Sequence, residues 1–193
     1  MFFLMMLLLC TAQYSHAGLL LEPVLGYSSG EILDNDEMAK DSLSGLSYGG
    51  RIGYQHSQYQ IGFDYLRSSY QVDEMDDFSS QEAGIFVAYI SPENHVRAYL
   101  GYMIYSAIKF SASANVEVDG NNVYVDFDAK TTKGSGFKVG VGYTGLPYVN
   151  INLEYRRSTF SEYEIEALGQ SLSTSADWEL GVGMISVSAP FEL

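Results

Sequence analysis

The chain holds a single cysteine, Cys10, and it lies in an apolar leader. From Gly18 onward there is no thiol, so neither a disulfide nor a thiolate metal site can form. Nowhere is there a run of about 18 apolar residues, the length a membrane-spanning helix needs. Basic residues are scarce: ten Lys and Arg stand against 24 Asp and Glu, for a net charge of −14. Such a chain repels a phosphate backbone, which argues against nucleic acid as a partner. Histidine is equally sparse, with His56 and His95 the two beyond the leader.

What is abundant is tyrosine (16) and glycine (19) in a chain of 193 residues, enough for one domain. The first 17 residues, MFFLMMLLLCTAQYSHA, combine an apolar run, Phe2 to Leu9, with the small-x-small triplet Ser15-His16-Ala17. That is the pattern of a secretory signal cleaved after Ala17, although no Lys or Arg precedes the run. The expected division is a signal over residues 1–17 and one domain over residues 18–193.

Within that domain, apolar and polar residues alternate with the two-residue period of a β-strand. In GGRIGYQHSQYQIGFDY, residues 49–65, Ile52, Tyr54, Tyr59, Ile61, Phe63 and Tyr65 share one row, while Arg51 and Asp64 fall on the other. Eight such segments follow one another. Their apolar rows begin at Leu19, Leu46, Tyr59, Ala83, Val96, Phe137, Val149 and Ile185. In the last, Trp178, Leu180 and Val182 are out of phase with Ile185, Val187 and Phe191, which predicts a bulge near Gly183-Met184. The connections alternate: short turns at Ser57-Gln58, Pro92-Glu93 and Gly145-Leu146-Pro147, long loops elsewhere.

An export signal, eight alternations, four long loops against three short turns and an alternating C-terminal APFEL resemble the small eight-stranded outer membrane β-barrels, the class of the outer membrane protein A transmembrane domain. The resemblance implies an all-β fold: a closed eight-stranded antiparallel transmembrane β-barrel with four long extracellular loops and short periplasmic turns. It further implies the cell outer membrane as location, membrane lipid and lipopolysaccharide as surroundings, and the outer membrane assembly machinery as a partner of the C-terminal strand. That family usually ends in Phe; here Leu193 is last and Phe191 lies on the same face.

In such a barrel the aromatic row meets lipid and the polar row lines the lumen. Tyr48, Tyr54, Tyr59, Tyr65, Tyr89, Tyr102, Tyr143 and Tyr155 are then lipid-facing. The lumen charges are Glu22, Arg51, Asp64, Glu82, Arg97, Lys138, Glu154, Arg156 and Glu192, four basic and five acidic. A two-residue turn at Ser57-Gln58 sets Arg51 opposite Asp64, and a three-residue turn at Gly145-Pro147 sets Lys138 opposite Glu154. Eight strands leave room for side chains alone, so these ion pairs are expected to plug the lumen.

No constellation for catalysis emerges. Both histidines fall in short turns, away from any nucleophile, and no cofactor or metal motif is present. Glu31, Asp34, Asp36 and Glu37, then Asp73, Glu74, Asp76 and Asp77, make acidic loops without the Gly and later Glu of a calcium-binding loop. NVEVDGNNVYVDF, residues 115–127, carries a hairpin signal around Asp119-Gly120. Pro23 and Pro190 are expected to meet where the first and last strands close the ring. The expected role is structural or surface interaction, without enzyme activity. The alternatives are a narrow channel or small-solute porin, and a soluble lipocalin-like carrier. A lipocalin needs an apolar lumen, whereas this lumen row is charged.

Overall fold

The computed structural model describes residues 17–34, 39–72, 75–118, 121–167 and 170–193. The leader up to residue 16, and with it the expected signal, lies outside them. Eight long antiparallel strands follow in order: β1 Ala17–Asp34, β2 Ala39–His56, β3 Tyr59–Val72, β4 Met75–Ser91, β5 Val96–Val118, β6 Asn121–Leu146, β7 Val149–Ala167 and β8 Gln170–Ser188. A two-residue β9, Phe191–Glu192, completes the last edge. Each strand pairs with its neighbour in sequence, and β1 pairs with both β2 and β8, so the sheet is a closed ring. Closure leaves no open edge, the condition for a sheet to cross lipid.

Following backbone partners once around, from Glu22 through Arg51, Asp64, Gly84, Met103, Gly136, Ser158 and Leu180, returns to β1 at Ile32. The ring thus closes with a stagger of ten residues (32 less 22). A side chain therefore meets partners well up or down its neighbours' sequences.

The long loops of the sequence reading are mostly strand. β5 and β6 stay paired, through two register shifts between Met103 and Lys109, as far as Val118↔Asn121, well past the last partners they find on β4 (Ser111) and β7 (Phe127). The connections themselves, 35–38, 73–74, 119–120 and 168–169, lie outside the described residues, and with them Asp36, Glu37, Asp73 and Glu74 of the acidic loops. The short turns are Ser57-Gln58, Pro92–His95 and Pro147-Tyr148, and Ser57, His95 and Tyr148 take positive φ there.

The outward row is apolar over the half of the barrel next to the short turns. All eight tyrosines expected to face lipid are exposed, and Ile52, Ile61, Phe63, Ile85, Val87, Leu100, Val139, Val141 and Leu153 are exposed among them. Tyr54, Tyr59, Tyr89 and Tyr143 lie next to the short turns, and Tyr27, Tyr48, Tyr65 and Tyr155 higher on the wall. From Tyr59 to Tyr65 a strand advances ~20 Å, which suits a tilted crossing of an apolar band about 25 Å tall.

Above that band the pattern inverts. Leu43, Tyr70, Phe78, Ile108, Phe160, Leu180 and Val182 are buried together inside the ring, with Ile32, Phe110 and Trp178 packed against them. The outward row beside them holds Ser42, Ser69, Gln71, Thr159 and Ser161, all exposed. The lower wall is apolar outside, as lipid demands, and mainly charged and polar inside, around a small apolar cluster of Leu20, Phe86, Ala88 and Tyr99; the upper wall is apolar inside and polar outside, as water demands. This inversion corrects the expected bulge at Gly183-Met184. β8 keeps one unbroken alternation from Leu180 to Ser188, with no shift of its pairing to β1. What changes is which face is apolar.

At the seam, Pro23 and Pro190 are neighbours. Val24 pairs with Ser188 and Leu21 with Phe191, so the two prolines lie one position apart across the gap between β8 and β9. Ala189 N donates to Pro23 O at 3.2 Å, and Leu19 and Leu193 exchange two bonds below.

Candidate functional site

The barrel interior gathers the charges. Arg51, on β2, faces inward because Gly50 and Ile52 take the outward positions. Its Nη2 reaches Glu154 at 3.1 Å and its Nη1 reaches Glu22 at 3.4 Å. Glu22 also accepts from Arg97 Nη1 at 2.8 Å, Asn150 Nδ2 at 3.1 Å and Ser188 Oγ at 2.5 Å. Glu154 meets Arg156 Nε at 3.3 Å, and Arg156 in turn holds Glu82. Arg97, Glu22, Arg51, Glu154, Arg156 and Glu82 thus form one chain of alternating sign across the lumen. Lys138 and Asp64 form a separate pair.

The eight described charges balance, four basic against four acidic, and all except Asp64 are buried. The side chain of Glu192 lies outside the described residues. Placing an isolated charge in this interior would be expensive; pairing and hydrogen bonding remove most of that cost. Aromatic rings help, with the Arg51 guanidinium 4.7 Å from the Tyr99 ring centre, Arg97 5.3 Å from the same ring, and Lys138 5.8 Å from Phe86. Glycine supplies the space. A Cβ on Gly140 would stand 2.3 Å from the Tyr99 ring, and one on Gly101 2.5 Å from Lys138 Cε.

The expected partners are exchanged. Arg51 and Asp64 are opposite in register, as the two-residue turn requires, yet Arg51 bonds to Glu22 and Glu154, and Asp64 to Lys138. In the β6–β7 hairpin the turn is Pro147-Tyr148, and a register shift between Tyr143 and Leu146 sets Lys138 opposite Arg156 and Gly140 opposite Glu154. Two like charges then face each other, and each turns to a carboxylate elsewhere. The stagger of the ring brings β2 against β7 across the lumen, which pairing within hairpins cannot reveal.

Hydroxyls lie between the ionic tier and the apolar one. Ser28, Ser47 and Ser68 are linked at 2.6 and 2.7 Å, and Ser106 Oγ donates to Ser158 at 3.1 Å. Beside the ionic tier remains a cavity of about 20 Å³ bordered by Arg51, Glu82, Lys138, Glu154 and Arg156, room for about one water. The sequence reading missed the inward Tyr70, Phe78 and Phe160. The signal for them is the change of apolar phase within each strand, as between Tyr65 and Tyr70. His56 and His95 sit at the short turns, and the His95 carbonyl accepts from Thr144 N at 2.8 Å. Among the described residues no group of three His, Cys, Asp or Glu could hold a metal ion.

An apolar outer wall around a charged, packed interior defines a bilayer-spanning β-barrel, and the lipocalin arrangement is the reverse. The fold is that of the small outer membrane β-barrels. Neisserial surface protein A matches over 90% of this chain and 97% of its own, with TM-score 0.52 and 20% identity. Ail, the attachment invasion locus protein of Yersinia pestis, matches over 90% and 99%, with TM-score 0.56 and 13% identity. No family model and no curated protein sequence matches the chain.

Proposed function

We propose that this protein is a non-conducting anchor in the cell outer membrane that raises a stiff, water-facing barrel extension and the β5–β6 hairpin above the bilayer for contact with a surface partner. The observation that carries the reading is the interior, filled at two levels. An ionic tier spans the membrane half and an apolar tier closes the half above it. A channel would need a continuous wet path; here the space beside the ionic tier is one water in size. The long hairpins then extend into the extracellular space and the short turns into the periplasm. β9, with Phe191 against Leu21, offers the segment that the assembly machinery would read. No catalytic role is assigned to His56 or His95.

Planar-bilayer recording tests this. The purified, refolded chain is expected to give no conductance steps under an applied potential. Discrete steps with a fixed small conductance would favour the narrow-channel reading instead.

A further inference from the structure

In a staggered ring a rung of backbone partners climbs as it goes round, and one apolar rung here climbs out of the barrel. Phe78 pairs with Phe110, Phe110 with Ala129, Ala129 with Ile165 and Ile165 with Leu172. At the low end Phe78 is 4% exposed, inside the apolar tier, and at the high end Leu172 is 68% exposed. Leu172 lies above Asp34↔Trp178, the last pair between β8 and β1. Trp178, lower on the same strand, stacks on Tyr163 with ring centres 5.2 Å apart and 9° between planes, and stands 6.0 Å from Phe110. Trp178, Tyr163 and Ile165 are half-buried. The outer mouth thus carries an apolar and aromatic shelf that is half open to water.

The surroundings are acidic. Eighteen of the 24 Asp and Glu, and six of the ten Lys and Arg, fall by chain position in the upper strands and their connections. That end of the molecule therefore carries a net −12 (six less eighteen). Apolar surface left in water favours cover, and the field selects what covers it. A second copy would bring the same negative end against this one, and a phosphorylated or sulfated saccharide is repelled in the same way. A cation is drawn in, and the faces of Trp and Tyr attract an ammonium or guanidinium group further. We propose that the mouth docks a cationic amphipathic peptide, whose apolar side chains seat on Trp178, Ile165 and Leu172 and whose basic groups face the acidic hairpins. The proposal rests on the surface-partner reading above and names that partner's chemistry.

Trp178 is the single tryptophan of the chain, so its fluorescence reads the mouth directly. The full barrel, refolded in phosphatidylcholine vesicles, is titrated with a tryptophan-free synthetic peptide of alternating Lys and Leu. Glu–Leu and Lys–Ser peptides serve as comparisons. The Lys–Leu peptide should shift the emission to the blue and shield it from acrylamide, saturably and less so as salt rises. The other two should do neither. Leu172→Ser, at an exposed position, should keep the heat-modifiability of the parent and weaken the response about tenfold. Leu146→Ser, exposed beside a short turn, should behave as the parent. An equal response to Glu–Leu or to Lys–Ser would overturn the proposal, as would equal titrations of the parent and Leu172→Ser. A blue shift that grows with barrel concentration, without peptide, would give the shelf to a second copy and overturn the peptide assignment. Conductance steps from the same preparation would contradict the anchor reading, whatever Trp178 reports.

Discussion

Arg51 shows best how this sequence uses a charge. It is drawn inward by the alternation of β2, bonded to Glu22 and Glu154, and laid against the Tyr99 ring. Its backbone partner Asp64 is bonded elsewhere, to Lys138. Double-mutant cycles on urea unfolding in vesicles should therefore give a coupling of about 0.5–3 kcal/mol for Arg51 with Glu154 and for Lys138 with Asp64. The coupling of Arg51 with Asp64 should be smaller than either. The reverse ranking would show that hairpin register, rather than the stagger of the ring, chooses the partners. Truncating Arg51 alone takes one of two cationic partners from each of two buried carboxylates, Glu22 and Glu154, and should cost about 3 kcal/mol.

At the scale of the strand, the informative feature is the change of apolar face along its length. On β7, Leu153 points outward within the band and Thr159 points outward above it, while Phe160 is buried inside. Leu153→Arg should cost about 2–4 kcal/mol, since a cation must enter hydrocarbon. Thr159→Arg, six residues along the same row, should stay within about 0.5 kcal/mol. Phe160→Ala should cost about 3–5 kcal/mol by opening a cavity. The same urea series measures all three, and equal penalties at residues 153 and 159 would remove the inferred water level between them. The lower strands were legible in the sequence because one face is apolar over several residues, as in Tyr59, Ile61, Phe63 and Tyr65. The upper strands were not, because the apolar residue moves to the other face and the pattern reads as a loop or, at Leu180 and Val182, as a bulge. The lumen charges were legible as a row. Their partners were not, since Glu22 with Arg97 and Arg51 with Glu154 join strands far apart in the chain. The β6–β7 register failed for a local reason: a two-residue turn at Pro147-Tyr148, with a register shift between Tyr143 and Leu146, in place of the expected three-residue turn Gly145-Leu146-Pro147.

For the molecule as a whole, the parts combine into a barrel of two solvents. Its membrane half is apolar outside with a neutralised ionic interior, and its upper half has the polarity of a soluble barrel. The hydroxyl tier of Ser28, Ser47, Ser68, Ser106 and Ser158 marks the change. The domain beyond the leader has no cysteine, so single cysteines can be introduced without background. The most direct measurement is spin-label accessibility along β7, with a lipid-soluble and a water-soluble relaxant, in reconstituted bilayers. Labels at residues 151, 153 and 155 should respond to the lipid-soluble agent, labels at 159 and 161 to the water-soluble one, and labels at 152 and 154 to neither. Lipid exposure at 152 and 154, or one uniform solvent from 151 to 161, would contradict a barrel with this inside, this outside and this change of solvent along its wall.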